Sequence, residues 1–73
     1  MDSASLEPAI KLIITEIHLK LDAAKRIAKA AEACVVAGSI SEGVEISMDI
    51  DQLIYEAGRL HDAASLLNPR EQT

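Results

Sequence analysis

Aromatic side chains are nearly missing from this chain, which has no Trp, no Phe and a single Tyr, Tyr55. Ligand pockets and base-stacking platforms lean on such rings, so a small-molecule site and single-stranded nucleic acid are both disfavoured. Cys34 is the only cysteine, which excludes an internal disulfide. No uncharged apolar run is long enough to span a membrane, and Asp2 and Glu7 stand where a secretory leader carries positive charge. A cytoplasmic chain without a membrane segment is expected. Basic residues are also scarce: seven Lys and Arg against twelve Asp and Glu leave a net charge of −5, which repels phosphate backbones and makes nucleic acid an unlikely partner.

Chemistry-bearing constellations are equally thin. Thr15, Ser47 and Ser65 are isolated hydroxyls, and no base and orienting acid stand at workable spacing from them. Glu16, Asp22 and Asp62 have no concave setting that would pair them as general acid and base. A non-enzymatic protein with no cofactor and no metal is the expectation. Gly38-Ser39-Ile40-Ser41-Glu42-Gly43 has the glycine spacing of a phosphate loop, but Val44 and Glu45 replace the Lys and Ser or Thr that should follow. That segment reads as a turn.

What the chain does have is two heptad patterns on either side of that turn. Ile10, Ile14, Ile17, Leu21, Ala24, Ala28, Ala31 and Val35 recur at alternating steps of four and three, and so do Ile46, Ile50, Leu53, Ala57, Leu60, Ala64 and Leu67. Straight apolar stripes of this kind predict two helices packed side by side. The fold class is all-α, an antiparallel two-helix hairpin in a single domain. Helix 1 is placed at about 5–37, the turn at 38–39, helix 2 at about 40–67 and a tail at 68–73. Ser3 or Ser5 suits the first cap, Glu7 the positive helix start and Pro8 the first turn. Gly38 offers a left-handed closing residue, and Ser39 with Glu42 has the spacing of a capping box. Pro69 stops helix 2.

If the chain reverses around Ile40 and Ser41, facing residues have numbers that sum to about 81, pairing Val35 with Ile46, Ala28 with Leu53, Leu21 with Leu60 and Ile14 with Leu67. Ala24, Ala28, Ala57 and Gly58 then mark a close approach at mid-hairpin. Apolar residues remain outside this seam. Leu12, Leu19, Ala23, Ala30, Ala33 and Ala37 form a second stripe, with Ile13, Ile27 and Cys34 flanking the first on helix 1 and Ile54 on helix 2. Leu12, Ile13, Leu19, Ala23, Ile27, Ala30, Cys34 and Ile54 are therefore the expected partner or oligomer interface, because a helix apolar on several faces is normally buried on several faces. A chain of 73 residues also hides only about 60% of its unfolded surface, and association is the supplement left to it. A homo-oligomer is expected, with a dimer that closes into a four-helix bundle favoured.

Two side-chain groups complete the reading. His18 and His61 fall near each other under that register, with Asp22 and Asp62 close by, but seam-covering rings are a far commoner role than a metal site. Glu42, Glu45, Asp49 and Glu56 gather on helix 2 as an acidic face able to dock on a basic protein surface. Lys11, Lys20, Lys25, Arg26 and Lys29 balance them on helix 1.

In layout the chain resembles the small plasmid RNA-binding Rop proteins, helical hairpins that dimerise into four-helix bundles. That resemblance implies a basic dimer face, to which Lys11, Lys25 and Lys29 would contribute. The expected function is nevertheless a protein-interaction module: a small oligomeric adaptor, antiactivator or inhibitor acting on a probable protein partner. A bundle that sequesters a small charged ligand between protomers and a Rop-like RNA-binding dimer are the alternatives.

Overall fold

The computed structural model describes residues 3–68, with side chains from residue 6 onward. Two helices, α1 (Ser3–Val36) and α2 (Ile40–Leu67), fold back on each other in a hairpin 54 Å long. Pro8 lies inside α1 rather than in its first turn, because the helix begins by Ser3, and Glu7 is correspondingly beyond the first turn. The caps expected from the Ser3 and Ser5 side chains, the stop at Pro69 and tail residues 69–73 lie outside the described residues.

The reversal is built from backbone bonds. Gly38 has φ +96, its N–H donates to the Val35 carbonyl at 3.0 Å, and the Ser39 N–H donates to the Cys34 carbonyl at 2.8 Å. Together these form a Schellman closure, in which the left-handed residue is nearly always glycine. The closure displaces the expected capping box. Ser39 is the N-cap of α2 but makes no side-chain cap bond, and the N–H that Glu42 would have accepted is already committed to Cys34.

The helices flank the 38–39 turn, but the expected pairing places the reversal about Ile40 and Ser41, and the observed register differs from that pairing by about one helical turn. Lys20 bonds Glu56, and Gly43 lies against Ala31, Cys34 and Val35, so facing residues have numbers that sum to about 76. On α2 the seam is the expected one: Ile46, Ile50, Leu53, Ala57, Leu60, Ala64 and Leu67 are all buried or half-buried. On α1 half of it moves by one residue. Ile10, Ile17, Ala24 and Ala31 stay inside, but Ile13, Lys20, Ile27 and Cys34 take the alternate positions, while Ile14, Leu21, Ala28 and Val35 are exposed.

The close approach is also relocated. A Cβ on Gly43 would sit 2.7 Å from Val35 Cγ2 and 2.9 Å from the Ala31 carbonyl oxygen, so α2 touches α1 near the turn. Gly58, expected at the mid-hairpin contact, faces open space with nothing within 4 Å of such an atom.

Candidate functional site

A two-helix hairpin has two broad faces, each bordered by residues just outside the seam, and here they differ in chemistry. The first is apolar. Ile14, Leu21 and Val35 on α1 remain 50%, 45% and 41% exposed, and Ile54 on α2 49%. Ala28 completes the α1 row. Across the seam, Ile10 and Ile14 share a surface depression with His61, Ala64, Ser65 and Asn68, where the α2 side of this face is mostly polar. A second depression runs from Glu7 and Pro8 past Ile10 and Lys11 to Ile14 and Thr15, and a third joins His18, Leu21, Asp22 and Lys25. All three therefore border this face.

Polar groups along it are partly satisfied by the helices themselves. Ser47 Oγ donates to the Val44 carbonyl at 2.7 Å and Thr15 Oγ1 to the Lys11 carbonyl at 2.9 Å, which leaves neither hydroxyl poised as a nucleophile. The two histidines lie in different depressions and are both exposed; His18 neighbours Asp22, but that carboxylate is 3.5 Å from Arg26. Among the described residues no three His, Cys, Asp or Glu side chains are placed to hold a metal ion.

The second face is acidic. Glu42, Asp49 and Glu56 recur every seven residues along one flank of α2, with Glu45 farther out. Lys20 reaches across from α1 and its Nζ donates to Glu56 Oε1 at 2.8 Å, while Gln52 Nε2 donates to Glu56 Oε2 at 2.7 Å. These bonds, first that from Gln52 and then that from Lys20, hold the Glu56 carboxyl below its usual range, and the Glu56 bond raises Lys20. Glu56 thus ties the helices together, and Glu42, Glu45 and Asp49 form the exposed part of the acidic group.

Comparison with protein-family models, curated protein sequences and solved structures finds no match. Function has to be argued from these faces alone.

The expected interface residues are divided between seam and surface. Ile13, Ala23, Ile27 and Cys34 are half-buried along the seam side of α1, with the Cys34 Cβ 3.5 Å from where a Gly43 side chain would begin. Leu12, Leu19 and Ala30 lie exposed on the outer side of α1, and Ile54 belongs to the apolar broad face. The heptad spacing predicts Ile14, Leu21 and Val35 in the seam, whereas all three are exposed. The signal that separates them from Ile13, Ile27 and Cys34 is weak, since each lies next in sequence to a seam residue and shares its seven-residue repeat.

No helix among the described residues is long and apolar enough to cross a membrane.

Proposed function

We propose that this chain is a non-enzymatic protein-interaction module, an adaptor, antiactivator or inhibitor that works as a homo-oligomeric hairpin, with a four-helix bundle of two chains as its assembled form. The observation that carries this reading is the apolar face of Ile14, Leu21, Val35 and Ile54, which the hairpin cannot shield by itself. Large exposed apolar patches on small soluble domains mark interaction sites.

The acidic face supplies a surface for a different partner. Glu42, Glu45 and Asp49 lie on the side of the hairpin away from the apolar row, so they stay available when that row is covered. A basic groove on a protein is the complementary surface, and charge of this kind sets specificity and association rate. The test is recovery of partners from a lysate by the wild-type chain and by a Glu42→Lys, Glu45→Lys, Asp49→Lys variant. Proteins captured by the first and lost with the second support the reading. Recovery of nothing but the chain itself by both would count decisively against it.

A further inference from the structure

Building on the interaction-module reading, we infer that the face carrying Ile14, Leu21, Ala28, Val35 and Ile54 is covered by a second copy of this chain, α1 lying antiparallel on the α1 of that copy about a two-fold axis near Leu21. The outer stripe of Leu12 and Leu19 stays uncovered in this pairing.

The first ground is the width of the α1 stripe. A helix with one neighbour needs apolar residues at two positions of each heptad, whereas a helix inside a bundle needs three. In α1 the two seam positions are filled by the series from Ile10 through Ile13 to Ala31 and Cys34, and the third by Ile14, Leu21, Ala28 and Val35, with Glu7 one heptad before Ile14. In α2 the corresponding third row is Ser47, Ile54, His61 and Asn68, largely polar. The helix that lacks a neighbour is α1, and the row best suited to cover its apolar row is the same row of another copy. An isologous contact of this kind closes on itself.

The second ground is extent. From Ile14 to Val35 the apolar row spans about 32 Å of α1 at 1.5 Å per residue, more than half of a hairpin 54 Å long. A short helix from another protein would cover only part of it. A second hairpin has the matching length, and an axis near Leu21 lies close to the middle of α1, so the overlap is nearly complete.

Charge is the third ground. Beside the apolar row α1 carries Lys11, His18, Lys25 and Glu32 at seven-residue intervals. Antiparallel pairing about Leu21 brings Lys11 to Glu32 of the second copy and Lys25 to its His18, and sets bulky Ile14 over small Ala28. The acidic residues Glu42, Asp49 and Glu56 lie on the opposite broad face, so these carboxylates are kept away from the contact. Leu12 and Leu19 lack these features: their next heptad position is Arg26, and the broad face beside them is the acidic one.

Sedimentation of the wild-type chain, Leu21→Glu and Leu19→Glu tests the assignment. The expected result is twice the chain mass for wild type and Leu19→Glu, and the single mass for Leu21→Glu with its helical circular dichroism retained. Should Leu21→Glu lose its helicity, Leu21→Cys combined with Cys34→Ala decides. A disulfide-linked dimer on mild oxidation supports an axis near Leu21, and its absence overturns the pairing. A dimer broken by Leu19→Glu and untouched by Leu21→Glu overturns the chosen face while leaving the interaction-module reading in place. A wild-type chain of single mass overturns self-pairing; the broader reading falls with it only if the lysate experiment also recovers no partner.

Discussion

Gly43 and Gly58 are both helical residues of α2, and the same substitution should act on them with opposite sign. At Gly43 an alanine methyl would meet the Val35 side chain and, less yieldingly, the Ala31 backbone carbonyl, so the helices must separate where they are closest. Overpacking of this kind costs about 1–3 kcal/mol, and Gly43→Ala is expected to lower the melting temperature of the hairpin. At Gly58 no atom stands in the way, and only the poor helix propensity of glycine is removed. Gly58→Ala should therefore stabilise by about 1 kcal/mol, or roughly 4–8 °C in melting temperature for a chain of this size. Thermal melts followed by circular dichroism check both, and a Gly43→Ala variant as stable as wild type would mean that the close approach does not exist. Spacing alone could not tell these glycines apart, because which one touches α1 depends on the register.

At the scale of the element, register is pinned by a polar contact inside an otherwise apolar seam. Lys20 occupies a seam position of α1 and is held there by Glu56 of α2. A polar residue at such a position specifies alignment at some cost in stability. The pH dependence follows in sign from the two groups. The folded-state pKa of Glu56 is depressed, so its contribution is present above the ordinary carboxylate range and is lost as pH falls through the lowered value. That of Lys20 is raised, so its contribution is present below the ordinary lysine range, about 10.4, and is lost only above it. Melting temperature is expected to fall for wild type between about pH 5 and pH 3 and to fall less steeply for Glu56→Gln. Equal slopes would show that the Lys20–Glu56 contact contributes nothing in solution.

The same contact explains how much of the hairpin could be read from the sequence. Both helices, their approximate ends and the whole α2 seam were legible, because at Ile46, Ile50, Ala57 and Leu60 the seam residue of α2 is flanked by polar residues or glycine. On α1 the pairs Ile13–Ile14, Ile27–Ala28 and Cys34–Val35 offer two apolar residues where one is needed, and at Lys20–Leu21 the charged member goes inward. Hydrophobicity favours Leu21 there; the partner that reverses the preference, Glu56, lies on the other helix and becomes visible only with the register. The turn was legible as a glycine and not as a mechanism, since a Schellman closure uses the very Ser39 N–H that the capping box requires. Of the two candidate surfaces, the acidic row could be read directly, whereas the apolar face was hidden within a stripe that looked like seam.

The whole molecule is long, thin and poorly supplied with interior. Among the described residues the buried apolar ones are Leu6 and four alanines, Ala24, Ala31, Ala57 and Ala64, while Ile and Leu side chains along both helices are half-covered or exposed. Such a chain gains little from burial within itself. If the second copy supplies the missing interior, association adds to the stability of a hairpin that already folds, and that stability must depend on protein concentration. Raising the chain concentration a hundredfold adds about 2.7 kcal/mol per dimer, roughly 5–10 °C in melting temperature for a two-chain particle of this size. Leu21→Glu should abolish that dependence along with much of the stability, and Leu19→Glu should leave it intact. Melts recorded over two decades of concentration measure it directly, and a wild-type midpoint that does not move would mean the hairpin folds alone with Ile14, Leu21 and Ile54 in water.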